Sequence, residues 1–349
     1  MATIKDVAAL AGVSYTTVSH VINKTRPVSD QARAEVEAAI RRLNYLPSAI
    51  ARSLRHQATL TIGLLISNNT NPFFSELAHG IEEGCYRNGY SVFLCNSNDE
   101  PTRQATHLRV LLEKRIDGLI VGSAGDHQTL AKRLRTSPVP LVVIDRALPG
   151  LEADLVQINH EEGGYLATRY LIDLGHRTIG CIAGPSHTTS SSERLAGYRR
   201  ALAEAALPYR RRWVMESDFT SEGGYQTASR LLQRAGFTAV FASNDLMGIG
   251  LLRYAAEKGV RVPQELSVIG FDGIELGRYV HPALTTIGQS IRQLGEMAAT
   301  TLIQCIGRRG KGPFRQLVLP PEIIVRESSA PPNSSRNRGG KLPDKRLRN

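Results

Sequence analysis

Apolar residues recur at helical spacing from the start of the chain: Ile4, Val7, Ala8 and Ala11 mark one face of a helix from about Ile4 to Leu10. Thr3 precedes it and Asp6 lies three residues further on, the spacing of a reciprocal N-terminal cap. Gly12 gives the backbone freedom for a tight turn, Val13 is an apolar plug, and Ser14 caps a second helix to about Ile22. Val18, Val21 and Ile22 face inward on that helix. Tyr15, Thr16, Thr17, Ser19, His20 and Asn23 then form its outer face. A third helix follows Ser29 and buries Val36, Ala39, Ile40 and Leu43. Two helices around so short a turn are a helix-turn-helix, and small or planar polar side chains near the start of its second helix reach base edges in a major groove. An ordinary three-helix domain with a polar face has the same spacing.

From Leu60 onward the period changes. Strand-like apolar runs at 61–66, 91–94, 118–121, 141–144, 179–182, 240–242 and 267–270 alternate with amphipathic stretches such as 74–88, 163–174, 193–205, 223–234 and 246–258. This is the pattern of an α/β fold with right-handed crossovers and parallel sheets. The alternation exceeds one sheet, so two doubly wound lobes flanking a cleft are expected. Ligands in such folds sit at the carboxyl ends of the strands.

Charge separates the two readings of the first helices. The chain carries a formal +11. Residues 1–60 hold eight Lys or Arg against four acidic residues, and residues 331–349 hold six against one. A basic head suits phosphate contacts that position a reader on DNA. The tail, rich in Pro, Ser, Asn, Gly and Arg, buries no core and is expected to be disordered. No apolar run approaches a membrane span and the first residues are no signal peptide, so a cytoplasmic protein without membrane contact is expected. Cys85, Cys95, Cys181 and Cys305 have no paired spacing, so buried reduced thiols are expected, with no metal.

Several motifs resemble the LacI family of bacterial repressors. At the head and hinge these are Thr3-Ile4-Lys5-Asp6-Val7-Ala8, Ala11-Gly12-Val13-Ser14, the run Thr17 to Asn23, Leu43-Asn44-Tyr45 and Pro47-Ser48-Ala49. Through the core they are Lys114 to Leu119, Gly175-His176-Arg177, Arg194 to Tyr198, Asn244-Asp245, Val268 to Asp272 and Leu284 to Ile287. The resemblance spans about residues 2 to 328 and implies four parts. Residues 1–47 form the helix-turn-helix head, and 48–60 a hinge helix and linker. Residues 61–328 form a core like a periplasmic sugar-binding protein, with one lobe of about 61–158 plus 291–318 and the other of 159–290 plus 319–328. Residues 329–349 form the basic tail. It also implies a homodimer that reads a near-palindromic operator in double-stranded DNA; no leucine heptads follow the core to make a tetramer. The DNA-contacting residues would be Thr3, Ser14, Tyr15, Thr16, Thr17, Ser19, His20, Asn23, Arg26, Ser48, Ala51, Leu54 and Arg55. Leu54 would be an apolar wedge in the minor groove, on a segment too short to be a stable helix alone.

The effector site is expected at Asn71, Phe73, Phe74, Asp145, Arg146, Arg194, Phe219, Asn244, Asp272 and Gln289. Aromatic faces pack on the CH surfaces of a sugar ring, while carboxylates, amides and guanidinium forks bind its hydroxyls. As a set they resemble the ribose site of periplasmic ribose-binding proteins, and the nearest repressors in resemblance are those of ribose operons. Ribose as inducer is the expectation, with another monosaccharide or a purine as alternatives. The head resembles purine repressors just as strongly, but those place a base-holding arginine several residues before the equivalent of Arg194. No arginine stands between Gly184 and Glu193 here, where His187-Thr188-Thr189-Ser190 runs instead. An enzyme is not expected: there is no phosphate loop, Gly-x-Ser-x-Gly elbow or dinucleotide fingerprint, and no cofactor is called for. His160-Glu161-Glu162 opens like a zinc-protease motif, but Gly163-Gly164 follow and the second histidine is missing. His176 and His187 are expected to be surface or capping residues. A transport binding protein would share the core but lack the head.

Overall fold

Thr3 and Asp6 close the reciprocal cap, with Thr3 N donating to Asp6 Oδ2 at 2.7 Å and Asp6 N to Thr3 Oγ1 at 3.3 Å. They start α1 (Ile4–Leu10); Ser14 caps α2 (Tyr15–Asn23) and Ser29 caps α3 (Asp30–Arg42). Gly12 makes the turn at φ +63°. Val7, Ala8, Ala11, Val18, Val36 and Ala39 form the buried core of this unit, with Val13, Ile22, Ile40 and Leu43 packed around it. The structure is a computed structural model that describes residues 2–46, 58–122, 127–233, 236–308 and 313–333. It divides into two compact units, Met1–Thr59 and Leu60–Asn349. The expected hinge helix, with Ser48, Ala51, Leu54 and Arg55, lies outside the described residues.

In the second unit the strands are β1 (Thr61–Ile66), β2 (Ser91–Asn96), β3 (Gly118–Gly122), β4 (Leu141–Ile144), β5 (Asp154–Ile158), β6 (Ile179–Ala183), β7 (Val214–Glu216), β8 (Ala239–Ala242), β9 (Ser267–Asp272), β10 (Thr285–Gly288), β11 (Gln316–Leu319) and β12 (Glu322–Ile324). The helices are α4 (Pro72–Tyr86), α5 (Pro101–Glu113), α6 (His127–Arg135), α7 (His160–Asp173), α8 (Thr189–Glu204), α9 (Ser221–Leu232), α10 (Asp245–Glu257) and α11 (Ile291–Gly307). They build two six-stranded sheets, in the orders β11-β5-β4-β3-β1-β2 and β12-β10-β9-β8-β6-β7. Helices cover both faces of the inner strands. Ile62, Leu64, Leu65 and Ile66 of β1 are therefore all fully buried, the reason this strand reads as a continuous apolar run rather than an alternation. β2 is an edge strand and leaves Phe93 and Leu94 exposed.

One pairing departs from the all-parallel expectation: β12 runs antiparallel to β10. Only Pro320 and Pro321 separate β11 in the first sheet from β12 in the second. The chain also passes between sheets at Asn159, between β5 and α7, and at Gln289 and Ser290, between β10 and α11. The two lobes are thus joined by three short crossings.

α7 and α8 cross backbone to backbone. A Cβ on Gly164 would lie 2.1 Å from the Arg194 carbonyl oxygen, and one on Gly197 would lie 2.0 Å from that of Glu161. Glycine at both positions brings His160 and Arg194, on neighbouring helices, into one site.

Three expectations are corrected. His176 is not a surface or capping residue: it is buried, with Nδ1 2.9 Å from Thr238 Oγ1 and Nε2 2.9 Å from the Ala330 carbonyl. Residues 329–333, expected within the disordered tail, are placed, because Ala330 N donates to Ser267 Oγ and Ser329 Oγ contacts Tyr170 and Thr285. Those buried hydroxyls supply the partners that composition alone could not reveal. Cys95 is only half-buried, since it sits on edge strand β2; Cys85, Cys181 and Cys305 are buried, and all four are free. Among the described residues no helix is long and apolar enough to cross a membrane.

Candidate functional site

On the head, Tyr15 is 63 % exposed at the start of α2 and Thr16 is exposed beside it. Thr3 and Ser14 are exposed but spend their hydroxyls on caps; Ser14 Oγ accepts from Thr17 N at 3.1 Å. Thr17, Ser19, His20 and Asn23 are half-buried, with Asn23 Nδ2 donating to the Ser19 carbonyl and His20 Nδ1 lying 2.7 Å from Thr25 Oγ1. Arg26 is exposed in the turn after α2. The outer face is therefore Tyr15 and Thr16 free at the front, with a pre-set His20 ring and Asn23 amide behind.

The core carries a cleft of about 490 Å³ at the carboxyl ends of the strands. Nine of the ten expected effector residues line it: Asn71, Phe73, Phe74, Asp145, Arg146, Arg194, Phe219, Asn244 and Asp272. They arrive from both sheets. Asn71 caps α4 after β1, Asp145 and Arg146 follow β4, Phe219 follows β7, Asn244 caps α10 after β8, and Asp272 ends β9. Asn71 and Asn244 also cap their helices: their oxygens accept from Phe73 N and Met247 N while the residues line the cleft. Phe73 and Phe74 meet edge to face and belong to the apolar core as well as to the wall. Gln289 is absent from the lining. It lies behind Asp272 and donates from Nε2 to its Oδ1 at 2.6 Å.

The floor is a buried charged network. Arg194, 4 % exposed, has Nη1 3.3 Å from Asp272 Oδ1 and 2.6 Å from the Ser243 carbonyl, and its guanidinium lies 3.7 Å over the Phe271 ring. Arg146 Nε lies 3.1 Å from Asp145 Oδ2, and its guanidinium stands about midway between Phe74 and Phe219, 5.8 and 6.0 Å from their ring centres. Burial pushes the Asp272 carboxyl well above its ordinary value, against the pull of Arg194. Burial also pulls the Arg194 guanidinium down, opposed by Asp272. Three buried polar atoms of lining residues make no hydrogen bond, Asp145 Oδ1 and Arg146 Nε and Nη1, although Arg146 Nε is ion-paired with Asp145 Oδ2; Gln289 Oε1, behind Asp272, makes none either. Such atoms are rare in native interiors, where water, an ion or a ligand supplies the partners. Backbone strain gathers here too, with φ of +69° at Asp145, +65° at Phe219 and +117° at Asp272, each a conformation costing about 1–3 kcal/mol.

Sequence reasoning passed over several residues. Ser67, Asp99 and Asp218 line the cleft, and Ser67 Oγ donates to Asp99 Oδ1 at 2.6 Å. Their positions just beyond β1, β2 and β7 were the available signal. His160, set aside with the incomplete zinc motif, is buried beneath the cleft between Asp145 and Arg194.

A helix-turn-helix unit followed by a two-sheet core with a polar, ligand-poised cleft defines a small-molecule-responsive DNA-binding regulator. The comparisons agree. Residues 3–48 match the profile of bacterial regulatory proteins of the lacI family, and residues 168–329 that of a periplasmic binding protein-like domain. The HTH-type transcriptional repressor PurR of Photobacterium profundum is 44 % identical over 331 residues, covering 94 % of this chain and 98 % of the relative. The lac repressor dimer bound to operator and the anti-inducer ONPF is 31 % identical with a TM-score of 0.84, covering 94 % of this chain and 99 % of that one. A LacI family regulator from Enterococcus faecium with bound ribose is 32 % identical with a TM-score of 0.70, covering 78 % and 100 %. The chain belongs to the LacI family of bacterial transcriptional regulators: it is a DNA-binding repressor, and its relatives are repressors rather than enzymes.

Proposed function

We propose that this repressor is released from a near-palindromic operator by a monosaccharide, D-ribose in the first instance, and so controls genes of sugar uptake and use in the cytoplasm. The observation that carries the sugar is the set of unpartnered atoms at the cleft floor. Of the residues that line the cleft, Asp145 Oδ1 is such an acceptor and Arg146 Nη1 such a donor. Every hydroxyl of a polyol both donates and accepts, so one small ring satisfies both kinds. Phe73, Phe74 and Phe219 offer apolar faces to its CH groups. A cleft of about 490 Å³ lies within the range of small-molecule sites. The ribose bound by the Enterococcus faecium regulator supports the same ligand class.

A purine is the second reading, and a specific observation favours it: the relative named PurR is 44 % identical along nearly the whole chain. Against it stands Thr188, buried where a base-holding arginine is expected, with its hydroxyl donating to the Pro185 carbonyl. Homodimerisation is part of the proposal, supported by the lac repressor dimer and by the exposed Tyr86 at the end of α4 and Phe93 and Leu94 on edge strand β2. In the head, Tyr15, Thr16 and His20 are proposed as base readers and Leu54 as the minor-groove wedge.

Isothermal titration of D-ribose and of hypoxanthine into the free protein and into its operator complex decides the effector. Ribose should bind the free protein and bind more weakly on operator, because linkage makes the two affinities oppose each other by the same factor. Hypoxanthine binding without ribose binding would move the protein to the purine reading.

A further inference from the structure

His160 is the first residue of α7, immediately after the chain crosses from the first sheet to the second at Asn159. Its side chain is 2 % exposed. On one side Nε2 lies 2.9 Å from the carbonyl oxygen of Asp145, at the end of β4 in the first lobe. A carbonyl only accepts, so this nitrogen carries the proton. On the other side Nε and Nη2 of Arg194, on α8 in the second lobe, each lie 3.4 Å from Nδ1. A guanidinium only donates, so Nδ1 is the bare acceptor. Both neighbours require one and the same neutral tautomer. Burial, reinforced by the positive charge of Arg194, keeps the ring neutral by pulling its pKa to about 4.

Arg194 is held from several directions at once: by His160, by the Ser243 carbonyl, by Asp272 and by the face of Phe271. Among these four neighbours only His160 also bonds to the first lobe. The close crossing at Gly164 and Gly197 lets the ring and the guanidinium meet without an intervening side chain.

The geometry points to His160 as a positioning residue: locked in the Nε2–H tautomer, it holds the Arg194 guanidinium for the effector and ties it to the Asp145 carbonyl of the opposite lobe. This rests on the reading of the cleft as the effector site. A change of lobe angle lengthens one of the two bonds of the ring and so loosens one of the holds on Arg194. Effector affinity and lobe arrangement are therefore coupled through one imidazole, with no separate relay.

Two substitutions separate the two bonds. In His160→Asn the amide oxygen sits about where Nδ1 does, keeping the acceptor for Arg194 and losing the donor to Asp145. In His160→Gln the amide reaches about to Nε2, keeping that donor and losing the acceptor. By titration of D-ribose, with hypoxanthine in parallel, into the full-length protein, His160→Gln should bind on the order of tenfold or more weaker, the scale of a hydrogen bond to a charged group. His160→Asn should stay much closer to wild type. Nitrogen-15 NMR of histidine-labelled wild-type protein should find His160 protonated at Nε2 and bare at Nδ1, with the Nδ1 resonance moving on effector addition. Equal affinity of His160→Gln and wild type, or a proton on Nδ1, overturns the assignment. Should neither ligand bind wild type, the effector reading falls, and the ring spectrum still decides the tautomer on which the positioning role depends. The same spectrum decides it if either variant fails to fold.

Discussion

The head and the cleft solve recognition in opposite ways. The head places its polar side chains on an exposed helix face over a small apolar core, and its internal bonds, Thr3 with Asp6 and Ser14 with Thr17, are local in sequence. The cleft buries its polar side chains, gathers them from both sheets, and leaves Asp145 Oδ1 and Arg146 Nη1 among them without a hydrogen bond. An exposed face costs the fold little and is free to follow the partner. A buried charged floor is bound into the stability of the core, so its residues serve folding and ligand together. Likeness along the head therefore speaks to the operator and says little about the effector, because the two surfaces answer to different constraints.

The largest expected effect breaks the cleft. Arg194→Met removes one partner of the buried pair with Asp272, and stranding a buried charge in this way costs roughly 3–5 kcal/mol. Burial already pushes the Asp272 carboxyl upward, so it takes up a proton in the variant and the loss should shrink as pH falls. Urea unfolding of the core at two pH values measures this, and titration should show effector heat abolished. The head, a separate compact unit, should keep its half-site preference in operator selection. A core as stable as wild type would mean that the floor is solvated and the contrast with the head is false.

A second effect sharpens the same contrast through pH. His160 ionises at about 4 in the fold against an ordinary 6.5. Between those values the unfolded chain holds a proton that the folded ring refuses. Its contribution to stability is fully present above pH 6.5 and is lost as pH falls towards 4, an amount of about 3 kcal/mol. Asp245 works the other way. Burial raises it from 3.8 to about 7, so its contribution is present below 3.8 and is lost as pH rises through 7. Asp272, also raised by burial, acts in the same sense as Asp245, and both oppose the imidazole. Subtracting the profile of His160→Asn isolates the imidazole, and the wild-type advantage should decline from pH 7 to 4.5. A difference that does not change with pH would show the ring to be as open to water folded as unfolded.

The same division explains what could be read from the chain. The head was legible almost to the residue, because each of its helices is announced by a cap and a period of its own: Thr3, Ser14 and Ser29 begin α1, α2 and α3. The lining of the cleft was legible as strand ends, since any residue just beyond a buried parallel strand faces that side. His160 and Gln289 were misjudged for one reason. Both lie at crossings between the sheets, and what such a residue touches depends on how two distant pieces of chain meet. Val214–Glu216 and Glu322–Ile324 are three residues each, too short to show a period. Ala330 looked like tail because its partners, His176 and Ser267, are far away in sequence and are polar.

The smallest effect belongs to the head, and its smallness is the point. Thr16 is exposed on α2, and His20 is partly exposed with its ring held by Thr25, so neither contributes to the core formed by Val7, Val18 and Val36. Replacing either should leave the unfolding of the core and the ribose titration unchanged. What changes is the base preferred at one position of each half-site, by roughly 1–3 kcal/mol for a good base contact. Replacing Arg26, exposed in the turn beyond the helix, should instead weaken binding evenly across sequences and flatten its salt dependence, as a lost phosphate contact does. Selection of operators from a random pool reads both outcomes at once. An unchanged consensus from the Thr16 and His20 variants, with a shifted one from Arg26, would mean that the reading surface lies at the end of α2 and not at its front.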